Sequence, residues 1–134
     1  MAYMPQEKKK ELAPKIKSVL KKYGMKGSIS VNNHSTLVCT LKSGALDIIQ
    51  NARAEALRRN GESYVTEDQT YLQVNPYWLQ ENYTGEVQAF LCELRAAMND
   101  GNHDRSDIMT DYFDVGWYID INVGKWNKPY ILEI

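Results

Sequence analysis

The sequence predicts an α+β fold: a single domain, residues 1–134, with an antiparallel sheet of about five strands and about three helices packed mainly on one face. Three observations lead to this prediction. Segments with apolar residues at helical spacing are interspersed with segments in which apolar and polar residues alternate. Turn-like sequences near both ends of the chain predict two β-hairpins. The length of 134 residues, with 43% hydrophobic and 25% charged residues, is typical of one globular domain.

The first predicted element is a helix from about Gln6 to Tyr23, with Gly24 able to take the left-handed conformation that ends a helix. Its apolar residues recur on one helical face: Leu12, Ile16, Val19, Leu20 and Tyr23. Pro14 costs about 3 kcal/mol inside a helix. We therefore expect either a kink at Pro14 or a helix that starts near it.

A β-hairpin and a second helix follow. Apolar and polar residues alternate on both sides of a turn at Asn32–Ser35, which predicts two paired strands between Gly27 and Gly44. Helical spacing then returns from Ser43, the predicted N-cap, to Asn60, where Asn60-Gly61 ends the helix.

The rest of the chain adds three strands and one helix. Thr70–Asn75 reads as a short strand, and a third helix is predicted to start near Thr84 and to end before Gly101. Residues 116–123 form the clearest alternating pattern. The sequence GKWNK then predicts a turn into a closing strand, residues 129–134.

The expected environment is a reducing cytoplasm. Cys39 and Cys92 lie within apolar patterns and are predicted to be buried free thiols. The chain contains no apolar run of about 18 residues and no secretory signal at its start. We therefore expect a protein without membrane contact that stays in the compartment where it is made.

Charge is divided unevenly along the chain. Residues 1–44 carry nine lysines, no arginine and two acids, whereas residues 45–134 carry seven basic and fifteen acidic residues. This predicts a positive and a negative end, which affects the choice of partner. The candidate basic binding face consists of Lys15, Lys17, Lys21, Lys22 and Lys26. Such lysines neutralise phosphates, but they lack the two-pronged geometry of arginine, so a simply solvated face remains the alternative.

A second candidate surface is polar and acidic. It combines a hairpin-turn residue, aspartates of the polar segment after the third helix, and residues of the clearest strand: His34, Asp107, Asp111, Asp114, Trp117, Tyr118, Asp120 and Asn122. Aspartates cap turns, bind hard cations or imitate a row of phosphates. Aromatic residues are enriched at protein interfaces and also stack on nucleobases, or they simply pack in the core.

Catalytic and cofactor motifs are missing from the sequence. The two histidines and two cysteines lack zinc-site spacing, and no calcium-loop, P-loop, G-x-G-x-x-G or G-x-S-x-G pattern occurs. We predict no catalytic residue, no cofactor and no metal. A small enzyme acting on a nucleotide or signalling molecule remains an alternative, and it requires one pocket to contain His34, His103, Asp104, Asp107 and Asp120.

Two segments resemble a known family. Residues 15–44, with the turn NHST, and residues 106–130, with TDYFDVG, resemble the large polyvalent protein-associated domain of phages and mobile elements. The resemblance implies a phage or mobile-element origin and action in a bacterial host cytoplasm. It also implies an association with disarming host defences, and it supplies no catalytic motif.

Three functional hypotheses result. The first is a non-catalytic accessory protein that binds a host protein or nucleoprotein complex and inhibits a defence system. The second is nucleic-acid binding through the Lys-rich first helix, and the third is the small enzyme. A second copy of the chain can pair with an exposed edge of the predicted sheet, so a homodimer is a further alternative.

Overall fold

The structure is a computed structural model that describes residues 4–33, 35–63, 65–66, 69–75, 79–100, 117–125 and 128–132. Its helices are α1 (Gln6–Lys22), α2 (Ile48–Asn60), α3 (Leu79–Asn82) and α4 (Gly85–Met98). Its strands are β1 (Met25–Asn32), β2 (Thr36–Gly44), β3 (Leu72–Val74), β4 (Tyr118–Val123) and β5 (Ile131–Leu132). The predicted α+β class, with a five-stranded sheet, is confirmed.

The sheet is mixed, so the prediction of an antiparallel sheet is wrong in one respect. Its order is β1-β2-β4-β3, with antiparallel pairing at β1–β2 and at β3–β4. In contrast, β4 runs parallel to β2. The chain between them includes three helices and β3, which provides the long crossover that parallel pairing requires. Alternating side chains reveal which face is buried but do not reveal strand direction.

The second predicted hairpin is also wrong. β5 pairs with β2 in parallel, through Ser43 with Ile131 and Gly44 with Leu132. The turn after β4 therefore does not reverse the strand. After this turn the chain returns to β2, where β5 pairs with the residues that follow those paired with β4.

The first helix and the first hairpin follow the sequence closely. α1 begins at Gln6 and contains Pro14, which rules out a start near that proline. Gly24, at φ 68°, follows its end, and Asn32 pairs with Thr36 across the predicted turn. The predicted cap of α2 is wrong because Ser43 belongs to β2. The Asp47 carboxylate instead accepts a hydrogen bond of 3.3 Å from the backbone N–H of Gln50.

One hydrophobic core joins the helices to one face of the sheet. The strands contribute buried residues from neighbouring register positions, such as Cys39 and Ile121. α1 contributes Leu12, Ile16 and Leu20, and α4 contributes Val87, Phe90, Leu91, Leu94 and Met98.

Both cysteines are free thiols, as predicted, but only one is fully buried. Cys39 lies in the core, whereas Cys92 is half-buried. Burial raises the pKa of the Cys39 thiol to about 12, which keeps the thiol protonated at neutral pH. Among the described residues, no helix has both the length and the apolar character needed to cross a membrane.

Candidate functional site

Six of the seven lysines of α1 form two rows on opposite flanks of its buried face, and the seventh, Lys9, is half-buried and belongs to neither row. We call one the paired row: Lys8, Lys15 and Lys22. We call the other the open row: Lys10, Lys17 and Lys21. At about 100° per residue, each row covers roughly 40° of the helix circumference, and the two rows lie about 140° apart. The buried residues of α1 separate them on the core side.

Two members of the paired row form ion pairs with acids on α4 or just after it. Lys22 Nζ lies 2.8 Å from a Glu93 carboxylate oxygen, and Tyr23 donates its hydroxyl proton to the other oxygen of Glu93. The Tyr23 ring also packs edge-on against Phe90, with ring centroids 5.3 Å apart. The hydrogen bonds from Lys22 and Tyr23 lower the pKa of the Glu93 carboxyl. This cluster joins the C-terminal end of α1 to the middle of α4.

The other two members of the paired row are also engaged. Lys15 donates a hydrogen bond to Asp100, just after α4, and this bond lowers the pKa of the Asp100 carboxyl and raises that of Lys15. Lys8 forms an ion pair of 3.3 Å with Glu11, and its ammonium lies 5.6 Å from the Trp117 ring centroid. The ammonium groups of the paired row are therefore engaged in contacts within the protein.

The open row is different. Lys10, Lys17 and Lys21 are all exposed. Within the described part of the chain, no carboxylate forms an ion pair with any of the three. Of the predicted basic face, only Lys17 and Lys21 thus belong to the open row. Lys26 is exposed on β1 and has an interaction of its own.

Three residues of the predicted polar surface share one face of β4. Tyr118, Asp120 and Asn122 alternate with the core residues of that strand and lie opposite Thr36, Val38 and Thr40 of β2. Tyr118 is 47% exposed, and the two polar residues that follow it on this face are half-buried.

Trp117 does not belong to this surface, which corrects the sequence analysis. The residue is only 6% exposed, and its indole N–H donates a hydrogen bond of 3.0 Å to the Met98 carbonyl oxygen. Trp117 therefore connects the start of β4 to the end of α4. Its ring packs in the core and is not part of an exposed binding surface.

Four predicted site residues lie outside the described residues: His34, Asp107, Asp111 and Asp114. The enzyme hypothesis also relies on His103 and Asp104, which lie outside them too, so that only its Asp120 has a described position. Among the described residues, no group of three or more His, Cys, Asp or Glu side chains is placed to hold a metal ion.

Sequence reasoning missed both the distinction between the two rows and the residues that create it. Lys10 was not included in the basic face, and Glu93 and Asp100 were not recognised as partners. The helical spacing of seven and four residues was a usable signal for the open row.

No protein-family model, curated protein or solved structure matches the chain.

Proposed function

We propose that the chain is a non-catalytic binding protein that engages a polyanionic host macromolecule, either a nucleic acid or a nucleoprotein complex, through the open row. The observation that supports this proposal is the contrast between the two rows of α1. The paired row is occupied by internal contacts, whereas Lys10, Lys17 and Lys21 are exposed on one flank without acidic partners among the described residues. Charges held on one rigid helix favour a partner with a regular array of negative charges.

The dimensions of the row favour a phosphate backbone. Lys10 and Lys21 are eleven positions apart, so the row extends about 16 Å along the helix axis. Duplex DNA carries roughly one negative charge per 1.7 Å of its axis, so phosphates are available along the whole row. Lysine acts as a point charge and does not form the two-pronged contacts by which arginine reads bases. We therefore expect backbone contacts, low sequence specificity and strong dependence on salt.

The family resemblance adds a biological setting to the proposal. Residues 15–44 include the C-terminal half of α1 and the β1–β2 hairpin, and residues 106–130 include β4. These two segments meet in the sheet, where β4 pairs with β2. Their contact makes the two segments parts of one structural unit. From the sequence resemblance we propose that the protein acts in a bacterial host cytoplasm, where it inhibits a defence complex that contains nucleic acid.

A second candidate is protein binding through the outer face of β4. Tyr118 favours it, because nearly half of this large side chain is exposed beside the polar groups of Asp120 and Asn122. A tyrosine of this kind supplies a large contact area with a polar tip.

Fluorescence anisotropy with labelled duplex DNA and RNA at low salt tests the first proposal. The triple variant Lys10→Gln, Lys17→Gln, Lys21→Gln should bind roughly ten-fold more weakly or worse than the wild type. The matched control is Lys8→Gln, Lys15→Gln, Lys22→Gln, which removes the same charge from the paired row and should bind more tightly than the first variant. Absence of wild-type binding to either nucleic acid at low salt, or equal loss in both variants, would contradict the proposal.

A further inference from the structure

Two irregularities of the sheet lie at the same position along β2, between Leu41 and Ser43. The first is a bulge in β2. Lys26 pairs with Ser43 and Gly27 pairs with Leu41, so Lys42 is an extra residue without an opposite partner in β1. A bulge changes the direction of the side chain that it carries, and bulges are common next to binding sites. Lys42 is exposed at this position.

The second irregularity is the loop between β4 and β5. Val123 pairs with Leu41 and Ile131 pairs with Ser43, so the two strands follow one another along β2 with a connection of seven residues between them. Reciprocal hydrogen bonds hold this loop closed. The Lys125 amide donates to the Lys128 carbonyl at 2.8 Å, and the Lys128 amide donates to the Lys125 carbonyl at 3.1 Å.

Gly124 allows the chain to leave the sheet at this point. Its φ is 66°, and a Cβ atom there would lie 2.6 Å from the Tyr130 amide nitrogen and 3.0 Å from the Thr70 carbonyl oxygen. The Tyr130 hydroxyl also donates a hydrogen bond of 2.7 Å to the Leu46 carbonyl oxygen. The base of the loop is thus fixed by close packing and by hydrogen bonds.

A cavity of 350 Å³ opens between the bulge and the loop. Five of its lining residues carry hydroxyl or ammonium groups: Ser28, Thr40, Lys42, Lys125 and Lys128. No carboxylate is among the described residues that line it. Three of these residues are lysines, so the lining carries a net positive charge that favours an anionic ligand. Ile131, which is 62% exposed, and Pro129 add an apolar rim.

We propose that this cavity binds a small phosphorylated molecule, with the phosphate among the three lysines and an organic part against the apolar rim. Lysine ammonium groups donate strong charge-assisted hydrogen bonds to phosphate oxygens, and hydroxyl groups complete their coordination. The volume falls within the range of about 300–1,000 Å³ that small-molecule sites occupy. None of the lining residues belongs to α1, so this site is separate from the open row and does not depend on the proposed function.

Isothermal titration calorimetry on the full chain tests the site with inorganic pyrophosphate, a nucleoside monophosphate and the corresponding nucleoside. We expect the two phosphorylated probes to bind and the nucleoside to bind far more weakly. Each of Lys42→Gln, Lys125→Gln and Lys128→Gln should weaken binding by roughly ten-fold or more, because each removes one charge-assisted hydrogen bond to the phosphate. Tighter binding of the monophosphate than of pyrophosphate would identify the organic part as a contributor.

Arg53→Gln is the matched control because it removes one positive charge from α2, a helix that contributes no residue to the cavity lining, and it should change the affinity by less than about two-fold. Amide chemical shifts of the wild type provide a readout independent of any variant, with the largest changes expected at Lys42 and Gly124. The proposal is overturned if neither phosphorylated probe binds, or if Arg53→Gln weakens binding as much as the cavity variants do.

Discussion

The paired and open rows of α1 use the same residue type on the same helix for different purposes. Lys15 and Lys22 form ion pairs with acids that lie 85 and 71 residues later in the chain, whereas Lys17 forms no ion pair within the described residues. The difference teaches that a lysine-rich helix is not one basic surface. Packing against α4 brings acids to the lysines of one flank, whereas the lysines of the other flank stay exposed and can contact a partner. The predictions below test this contrast, starting with the largest expected effect.

Apolar packing, rather than ion pairing, should dominate the stability of the paired flank. Phe90 is fully buried and contacts the Tyr23 ring, so Phe90→Ala should lower the free energy of unfolding by about 3–5 kcal/mol. Chemical denaturation monitored by circular dichroism measures this change. Leu57→Ala on α2 is the control, because Leu57 is 37% exposed and its loss should cost much less. Similar losses in both variants would show that α1 and α4 are not held by this contact.

Salt dependence should separate the two rows. If each open-row lysine contacts one phosphate of duplex DNA, Lys17→Gln should reduce the slope of log K against log salt by about 1. Lys15→Gln should leave the slope nearly unchanged, because that ammonium already pairs with Asp100. Anisotropy titrations at several salt concentrations measure both slopes. Equal slopes for Lys17→Gln and the wild type would remove Lys17 from the binding surface.

The paired flank should make folding sensitive to acid. Glu93 and Asp100 have lowered pKa values in the folded protein, so the unfolded chain binds protons more readily than the folded chain. Their contribution to stability is therefore present above about pH 4, near the unfolded pKa values, and is lost as pH falls towards the lower folded values. Thermal unfolding across this range should show a decline in Tm that is shallower in Glu93→Gln. An unchanged pH profile in that variant would argue against the pair with Lys22.

The smallest effect is expected for the ion pair within α1. Lys8 and Glu11 are three residues apart on the helix, and such pairs contribute about 0.2–0.5 kcal/mol. Glu11→Gln should therefore change the free energy of unfolding by no more than about 0.5 kcal/mol, as measured by chemical denaturation. A larger loss would mean that Glu11 has a role beyond its own helix.

Local patterns predicted the elements well, and non-local contacts explain the errors. The alternation around Asn33 predicted the first hairpin, and the spacing of Val87, Phe90 and Leu94 predicted α4. Parallel pairing of β4 with β2 depends on a crossover that no local pattern encodes.

The candidate site was predictable only in part for the same reason. The lysines of α1 are visible in the sequence, but their acids are supplied by α4 and the residue after its C-cap. The cavity of Lys42, Lys125 and Lys128 depends on a bulge and a loop that meet only in the folded sheet. The aromatic residue Trp117 was misassigned because an alternating strand does not reveal what covers its first residue.

Lysine acetylation footprinting with mass spectrometry tests the contrast between the rows most directly, because it reads every lysine of the unmodified protein with and without duplex DNA. We predict that DNA slows acetylation of Lys10, Lys17 and Lys21 and leaves the rates at Lys15 and Lys22 unchanged. Protection of the paired row instead, or equal protection of both rows, would contradict the assignment of the open row as the binding surface.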